Sequence, residues 1–398
     1  MPAAESPSRL EPTRLERVPE VISDLVAEVV ATATGLGQKL HPRTAASLAD
    51  VVRVMNTYYS NLIEGHNTRP HEIERALAGD LDADPGRRNL QVEAAAHINV
   101  QATIDAMAAA GRLPEPASES FLRQLHRDFY RDAPAEMLTM RSGDRRLTIV
   151  AGEWRSAPEH DNAVGRHIPP SSAHVAEFMA YFAARYRFAP LGTASRILAI
   201  PAAHHRLNFI HPFVDGNGRV SRLMSHAMAH AAGIGAHGLW SISRGLARGI
   251  ASRTEYKSRM DATDAPRSGD LDGRGHLSLA ALEAFTEWFL RVSLDQLQFM
   301  SRLFDLNTLA ARLERLVAQR ETLKPESTAI LTEVLVRGEV DRGEASRITG
   351  LPERTARRVL TDLQEHGLLS SDTPKSAVSL RFPAADLDVL FPKLFPES

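Results

Sequence analysis

The stretch HPFVDGNGR, from His211 to Arg219, places an imidazole, a carboxylate, two glycines, an amide and a guanidinium close together, and Arg222 soon adds a second guanidinium. Apolar spacing predicts a helix over residues 193–209. Because proline disfavours α conformation in the preceding residue, this helix should end before Pro212. The pattern indicates another helix after Asn217. The stretch is therefore a glycine-rich turn between two helices.

Such a turn is suited to binding an anion. The two glycines permit positive φ or close backbone approach, and the N–H groups of the following helix point at one place. Arg219 and Arg222 add forked cationic donors. Asp215 offers a hard oxygen ligand that could hold Mg²⁺ beside phosphates, and His211 is near enough to act as a general base. Together these residues predict phosphate chemistry with a hydroxyl nucleophile.

Plainer interpretations of these residues stay open at this point. A Gly-Asn-Gly turn before a helix is often only a cap. Zinc binding by His204, His205 and His211 is compatible with the residue types, but adjacent histidines point to different faces and no HExxH pattern is present. The P-loop lysine signature is missing, which excludes that class of nucleotide site.

Composition restricts the class of protein. The 398 residues exceed the usual size of one hydrophobic core, and a net charge of -2 provides no global field for nucleic acid or anionic lipid. Cysteine is absent, which excludes disulfides and thiol nucleophiles and suits a reducing cytoplasm. The sequence shows neither a membrane-span pattern nor a secretory signal, so we expect a cytoplasmic protein.

The pattern along the chain predicts a mainly α protein. Residues 143–172 interrupt the helices with glycines, prolines and short β-prone runs, which favours a loop with a short hairpin. The C-terminal order of helix, helix, turn, helix and hairpin is that of a winged helix-turn-helix. We predict a flexible N-terminus, an N-terminal helical region, a central core, connecting long helices and a winged-helix domain, over residues 1–20, 21–115, 116–268, 269–322 and 323–398.

HPFVDGNGRVSR resembles the signature of the Fic (Fido) family, HxFx(D/E)GNGRxxR, at every fixed position. The resemblance covers roughly residues 45 to 265. MRSGDRR, GEWR and VGRHIPPS resemble the segments before and within the family's β-hairpin flap, and RTEYKSRMDA resembles its post-motif helix. The resemblance implies a Fic-type helical bundle and a protein adenylyltransferase. Such an enzyme moves AMP from ATP to a Ser, Thr or Tyr hydroxyl of a target protein and releases pyrophosphate.

The resemblance also implies roles for single residues. His211 would deprotonate the target hydroxyl, Asp215 would bind Mg²⁺ and Arg222 would hold the γ-phosphate. The residues implied to line the phosphate nest are Gly216, Asn217, Gly218 and Arg219.

Two further elements of the family's nucleotide site have counterparts here. The flap residues Val164, Gly165, Arg166 and His167 would pin the target segment by strand-like pairing. Tyr256 stands where the family often has a Tyr-Tyr pair near the adenine. The sequence departs from the pattern at Lys257, the second position of that pair, and at Asp264, which replaces a frequent Asn.

A second motif, SNLIEG from Ser60 to Gly65, ends an amphipathic helix. Ser60 and Glu64 share a helix face, and Gly65 is a natural terminator. The stretch alone is typical of a solvated helix end. Beside a Fic motif it resembles the inhibitory (S/T)xxxE(G/N) pattern, in which Glu64 would form a bidentate pair with Arg222. The same glutamate could orient water to hydrolyse an AMP–protein bond, so de-AMPylation is an alternative.

Arg354, Arg357 and Arg358 cluster on the candidate recognition helix of the C-terminal domain and are possible DNA contacts. Acidic residues surround them, and winged helices also serve as protein-docking or dimer modules, so a homodimer is a further expectation. The alternative to an enzyme is a DNA-binding regulator with a sensory or inactive Fic core. The intact histidine and arginines of the motif argue against lost activity.

Overall fold

Helices make up most of the structure, a computed structural model that describes residues 5–142 and 145–395. The chain divides into two compact units. The motif unit takes its residues from Met1–Ala31, Asn56–Gly235 and Ser241–Gln296, and the C-terminal unit from Thr32–Met55, Ala236–Trp240 and Leu297–Ser398. The domain boundaries drawn from the sequence stay a prediction.

The first eleven helices supply the motif unit, and three of them, α1, α2 and α11, also contribute residues to the C-terminal unit. Their bounds are α1 Glu20–Gln38, α2 Pro42–Ile63, α3 Pro70–Leu77, α4 Pro85–Ala109, α5 Glu119–Tyr130, α6 Val175–Arg185, α7 Thr193–Ile210, α8 Asn217–Ala231, α9 Ser243–Arg248, α10 Glu255–Thr263 and α11 Leu279–Leu303. The predicted helices are present, and the mainly α architecture expected from the sequence is confirmed.

Helix α7 forms the centre of the motif unit. Its apolar side chains face several directions, and Ile197, Ile200 and Leu207 are all buried, as expected for a helix surrounded by protein. Helix α8 returns beside α7, and α4 and α5 pack against α8. The turn from His211 to Gly216 therefore lies among four helices.

Helix α4 begins inside the segment GDLDADPGRR, residues 79–88, whose glycines, proline and aspartates are typical of a loop. The side chain of Asp84 accepts a hydrogen bond from the backbone N–H of Arg87, and Pro85 occupies the first helical turn. An N-cap aspartate followed by proline is a strong helix start. The helix therefore begins inside the segment that composition alone marks as irregular.

The N-terminal segment also differs from the flexible lead-in predicted up to residue 20. Pro7–Leu10 form a 3₁₀ helix, and the side chain of Leu10 is fully buried. The buried guanidinium of Arg206 on α7 donates to the carbonyls of Leu10 and Pro12, each at 2.9 Å. A polar, proline-rich composition gave no sign of these partners, because they lie almost two hundred residues away in the sequence.

Two short hairpins interrupt the helices of the motif unit. Strands β1 Thr139–Ser142 and β2 Arg145–Thr148 pair antiparallel, with Met140 opposite Leu147. Gly143 and Asp144 of the predicted MRSGDRR segment lie outside the described residues. Val164 and His167 form a second, two-residue turn through reciprocal backbone hydrogen bonds of 2.9 and 3.1 Å. The irregular region thus contains the hairpin predicted from its glycines.

The C-terminal unit contains the remaining helices, α12 Leu306–Ala318, α13 Ser327–Arg337, α14 Ala345–Thr349, α15 Glu353–Glu365 and α16 Leu387–Leu390. Strands β3 Leu369–Ser370 and β4 Ser379–Leu380 pair antiparallel. A bridge from Val340 to Val378 extends this small sheet. The element order is the predicted one, and the winged-helix assignment stays a prediction. No helix among the described residues combines the length and the apolar character needed to cross a membrane.

Replacing Arg206 with methionine should release the N-terminal segment. The variant leaves two buried carbonyls without their donor, so we expect the free energy of unfolding to fall by about 2–4 kcal/mol. Urea unfolding measures the loss, and limited proteolysis within residues 5–13 should become faster. The exposed Arg187→Met variant is the matched control. Unchanged cleavage at the N-terminal segment would contradict the proposed anchoring.

Candidate functional site

The conformation of His211 is set by the end of α7. His211 caps that helix with φ 51° and ψ 60°, in the left-handed region that non-glycine residues seldom occupy. Its N–H still bonds to the carbonyl of Leu207 at 3.0 Å. The helix therefore ends before Pro212, as the sequence predicted. The left-handed conformation of His211 directs its imidazole away from the course of the helix.

Arg155 holds this strained turn in place. Its buried guanidinium donates to the carbonyl of His211 at 2.7 Å and to that of Ile210 at 3.2 Å, while its backbone N–H donates to Pro212 at 2.8 Å. The carboxylate of Asp161 pairs with the same guanidinium at 2.6 Å. One arginine thus occupies three consecutive carbonyls, which fixes the backbone that carries His211.

The imidazole of His211 is neutral at physiological pH. Burial lowers its pKa to about 4, and the positive charge of Arg155 adds to the effect. A neutral imidazole has a free lone pair and can accept a proton. The half-buried side chain is therefore in the protonation state that a general base needs.

The glycines and the amide of the motif build the turn into α8. Gly216 has φ 82°, and a Cβ there would lie 3.1 Å from the ring of Tyr130. The side chain of Asn217 accepts from the N–H of Phe213 and donates to its carbonyl, both at 2.9 Å. Asn217 was predicted to line the phosphate nest; in the structure its amide braces the turn that forms the nest.

Asp215 lies at the edge of this turn with 46% of its side chain exposed. The hydroxyl of Tyr130 donates to its Oδ2 at 3.1 Å. Nδ1 of His126 accepts from the N–H of Gly152 at 2.8 Å, so the proton lies on Nε2, which is 3.2 Å from the carbonyl of Asp215. Tyr130 thus orients the carboxylate and His126 holds the backbone of Asp215, while the carboxylate stays accessible.

Arg219 is buried beside a carboxylate that the sequence did not single out. Its Nη2 lies 2.7 Å from Oε1 of Glu93 on α4, and both side chains are 7% exposed. The face of Phe129 lies 5.3 Å from the guanidinium carbon. Although burial opposes the charge, Glu93 raises the pKa of Arg219 above its usual value. A permanent positive charge is therefore fixed in the first turn of α8.

Arg222 contacts Ser60 and Glu64, the two fixed polar positions of the predicted inhibitory motif. Its Nε donates to the hydroxyl of Ser60 at 3.0 Å, and its Nη2 donates to Oε1 of Glu64 at 2.7 Å. The described ion pair joins one carboxylate oxygen to one guanidinium nitrogen, so the bidentate pair expected from the sequence is wrong. The second partner of Nη2 is the carbonyl of Ser60 at 3.3 Å.

The carboxylate of Glu64 lies directly over the first turn of α8. A Cβ added to Gly218 would be 2.6 Å from Oε1 of Glu64 and 3.0 Å from Nη1 of Arg222. Burial opposes ionisation of Glu64, but Arg222 and Arg219 outweigh it and lower its pKa. Gly65, with φ 90°, then ends the helical segment. An anionic group thus lies at the turn that leads into α8.

The hairpin turn 164–167 lies beside the end of α7. His167 approaches the carbonyl of Phe209 at 2.7 Å and the carboxylate of Asp264 at 3.4 Å. Val164 is 43% exposed and Arg166 is 89% exposed. Gly165 has φ 61°, which suits the tight turn. The hairpin therefore has one anchored residue and an exposed edge.

Tyr256 is buried in the motif unit, with 7% of its surface exposed. Its hydroxyl lies 2.7 Å from Nε2 of His204, whose Nδ1 lies 2.9 Å from the hydroxyl of Ser225. His205 instead contacts the carbonyl of Met260 at 3.2 Å. The histidines considered for zinc thus have separate partners, and the geometry gives that interpretation no support.

Comparison with known proteins agrees with this geometry. The Fic/DOC family model matches residues 116–229, which include the hairpin, α7 and nearly all of α8. The chain carries a Fic/DOC domain. The fold of a Fic family protein from Desulfovibrio desulfuricans covers 93% of this chain and 98% of its own, with a TM-score of 0.52 and 16% identity. A Fic domain containing signaling protein from Bacteroides thetaiotaomicron covers 70% of this chain and 96% of its own, with a TM-score of 0.51 and 19% identity.

Curated relatives match over a shorter stretch. The protein adenylyltransferase Fic of Drosophila erecta is 36% identical and that of Drosophila melanogaster 38% identical, each over 85 residues. Each match spans 21% of this chain and 17% of the relative. The chain thus covers less than a fifth of the length of these curated relatives.

The Fic domain depends on residues that the motif does not contain. Sequence reasoning missed the roles of Arg155, His126, Tyr130 and Glu93. Arg155 belongs to the GEWR segment, which was noted only as part of the flap region. The other three belong to amphipathic helices, where an aromatic or acidic side chain gives no sign of its distant partner.

The proposed DNA contacts lie in the C-terminal unit, outside the matched Fic residues. Arg354, Arg357 and Arg358 are all exposed on α15, whose opposite face buries Ala356 and Val359. Arg357 pairs with Glu353 one turn earlier. The structure therefore presents the three arginines to solvent, and their contact with DNA stays a prediction.

The buried histidines of the Fic domain and its neighbouring helices predict a loss of stability in acid. Burial lowers the pKa of His97 and His204 to about 3 and that of His126, His205 and His211 to about 4. The unfolded chain takes up these protons near pH 6.5 while the folded chain does not, so stability is complete above that pH. It should fall as pH drops towards 4, by up to about 1.4 kcal/mol per pH unit and histidine.

Urea midpoints measured between pH 7.5 and 4.5 test this expectation. In a His211→Gln variant the free energy of unfolding should fall less steeply as the pH drops, by the contribution of one histidine. A variant of the exposed His71 should show the same pH dependence as the wild type. A wild-type profile that is flat over this range would contradict the buried neutral histidines.

Proposed function

We propose that this chain is a protein adenylyltransferase that transfers AMP from ATP to a Ser, Thr or Tyr hydroxyl of a target protein. The proposal rests on one observation. Neutral His211, accessible Asp215 and the cationic first turn of α8 lie together at one turn of a Fic/DOC domain. The curated relatives named as adenylyltransferases support the reaction class.

The proposed reaction uses His211 as the base. Its unprotonated nitrogen takes the proton from the target hydroxyl, and the hydroxyl oxygen attacks the α-phosphorus of ATP. A new P–O bond forms while the bond to the pyrophosphate oxygen breaks, and pyrophosphate leaves. Arg219 and the N-terminus of α8 stabilise charge that builds on the phosphate oxygens. The exposed edge of the 164–167 hairpin would hold the target segment by backbone pairing, which leaves its sequence unspecified.

Asp215 fits the Mg²⁺ that this reaction class uses. Its carboxylate is a hard oxygen donor, is half exposed, and is oriented by Tyr130 without being enclosed. When bound there, Mg²⁺ would neutralise charge on the phosphates of ATP. Arg219 lies 3.8 Å from Oδ2 of Asp215, so the carboxylate would lie between that guanidinium and the bound ion.

The contact between Glu64 and Arg222 supports an autoinhibited resting state. Arg222 is the residue proposed to hold the γ-phosphate, and Glu64 occupies one of its nitrogens. A carboxylate over Gly218 also repels phosphate from the nest. ATP bound under these conditions would be misaligned for attack at its α-phosphorus.

Replacing Glu64 with glycine should therefore activate the enzyme. A charge-assisted hydrogen bond contributes about 1.5–3 kcal/mol, so transfer should rise about 10- to 100-fold. Incorporation of label from [α-³²P]ATP into the chain itself or into lysate proteins measures the effect, with [γ-³²P]ATP giving none. Adding His211→Ala should reduce the rate by about 100-fold or more.

Glu136→Gly is the matched control, because Glu136 is an exposed glutamate in a turn of the same unit. Its labelling should equal that of the wild type. Labelling by Glu64→Gly that survives loss of His211 would overturn the proposed base. Equal labelling by wild type and Glu64→Gly would overturn the inhibition while leaving the transferase proposal intact.

De-AMPylation is a second candidate for the same site. Glu64 is ionised and its side chain is 32% exposed, so its carboxylate is accessible to a water molecule. In that reaction Glu64 would orient water towards the phosphorus of an AMP–protein bond. Release of AMP from a pre-labelled target by wild type but not by Glu64→Gly would favour this activity over transfer.

We also propose that α15 contacts DNA. Arg354 and Arg358 lie one turn apart on the exposed face of this helix, at a spacing that matches neighbouring phosphates of one groove. Arg357, beside them, is paired with Glu353 and is the weaker candidate.

Removal of these two arginines should weaken DNA binding by the full-length chain. The Arg354→Ala/Arg358→Ala variant should reduce the slope of log affinity against log salt by about two, because two phosphate contacts are lost. Fluorescence anisotropy with a mixed-sequence duplex measures the slope. Exposed Arg187 and Arg253, both replaced by alanine, provide the control. Equal slopes for the two double variants would exclude α15 as the contact.

A further inference from the structure

A compact group of nitrogen and oxygen donors lies away from the His211 turn, where α4 packs beside the second half of α8. Its members are Asp105 on α4 and His226 and His230 on α8. Nε2 of His226 is 2.7 Å from Oδ1 of Asp105, and Nε2 of His230 is 3.0 Å from the same oxygen. Two imidazoles and one carboxylate thus converge on one point.

The helix geometry produces this convergence. His226 and His230 are four residues apart, so they project from the same face of α8 one turn apart. Their ring centroids are 4.8 Å apart with an interplanar angle of 84°. The backbone of Gly235 lies against the second ring, because a Cβ there would be 2.4 Å from Nδ1 of His230. Any larger residue at position 235 would push that ring away from Asp105.

We propose that Asp105, His226 and His230 bind a divalent transition-metal ion, with Zn²⁺ as the best match. Two imidazole nitrogens and one carboxylate are the donor set of many zinc sites with one open position. Nitrogen donors disfavour Mg²⁺ and Ca²⁺, which prefer oxygen ligands. The site would therefore select a different metal from the Mg²⁺ proposed at Asp215.

Side-chain shifts would bring the distances to those of such an ion. The three ligand atoms lie within 4.8 Å of one another. Tetrahedral ligands about 2.0–2.1 Å from zinc are about 3.3 Å from each other. The two histidine–aspartate distances, 2.7 and 3.0 Å, thus need to widen, and the widest spacing in the cluster needs to narrow. The imidazole protons are assigned to Nε2, which faces Asp105 in both histidines. For metal binding they must move to Nδ1, so that the Nε2 lone pairs face the ion.

The cluster is shielded but reachable. The side chains of Asp105, His226 and His230 are 12%, 5% and 9% exposed. Partial exposure permits entry of the ion and a water as fourth ligand, while the surrounding protein limits competing solvent. A metal at this position would join α4 to α8.

That link bears on the helix pair that positions Arg219. Glu93 and Asp105 are twelve residues apart on α4, and Arg219 and His226 are seven apart on α8. The Glu93–Arg219 pair and the proposed metal therefore hold the same two helices at separate points along their lengths. The proposal itself rests on the ligand geometry and does not depend on the transferase reaction.

Metal binding by the full-length, chelator-treated chain tests the proposal. We expect one Zn²⁺ per chain in competition with a chromophoric chelator, and a melting temperature raised by a few degrees at saturating Zn²⁺. His226→Gln and Asp105→Asn should each weaken binding by about 100-fold or more and abolish the thermal shift. The exposed His71→Gln variant controls for surface histidines and should bind as the wild type does.

Co²⁺ provides a measurement that needs no variant to fold. The wild-type chain should give the visible absorption of a four- or five-coordinate ion, and one equivalent of Zn²⁺ should remove it. Wild-type binding no tighter than that of the variants, or an absence of both the Co²⁺ bands and the thermal shift, would overturn the proposal. The three residues would then be a hydrogen-bonded link between two helices and nothing more.

Discussion

The site depends on the hydrogen bonds that Arg155 donates to the carbonyls of Ile210, His211 and Pro212. A left-handed histidine before a proline costs about 1–3 kcal/mol and persists only where its surroundings impose it. Arg155 imposes it with donors of fixed planar geometry, from a guanidinium that Asp161 holds in turn. If this turn relaxed, the imidazole would move and α8 would begin in another direction, so the proposed base and the proposed phosphate-binding turn share one support.

Helix α8 concentrates positive charge that would be costly to bury alone, and the compensating carboxylates come from the turn after α2 and from α4. Arg219 is matched by Glu93, and Arg222 by Glu64 and Ser60. The two pairs differ in accessibility, because Glu93 is 7% exposed and Glu64 is 32% exposed. The first pair is therefore a fixed part of the structure, whereas the second includes a partner that water can solvate.

The sequence was most informative where chemistry is local. Twelve consecutive residues carried the Fic signature, helix bounds followed apolar spacing, and the pairing of Glu64 with Arg222 followed from two short motifs. Contacts between distant segments could not be predicted from the sequence. Tyr130 and Asp215 are 85 residues apart, and neither periodicity nor charge pattern links them. For Asn217 the sequence predicted the position in the motif but not the role. Its two hydrogen bonds to the backbone of Phe213 depend on how the turn folds.

Under the proposed autoinhibition, the unequal exposure of Glu64 and Arg222 makes the glutamate a competitor attached to the same chain. Arg222 is 1% exposed and Glu64 is 32% exposed, so an exchange of ligands at Arg222 would occur by movement of Glu64. A group attached by a short link acts at an effective concentration that is often in the millimolar range. A nucleotide would have to outcompete that local concentration, and small changes at the end of α2 would alter it without touching the nucleotide. The threshold for activation would then depend on chain geometry instead of on the amount of an inhibitor in solution.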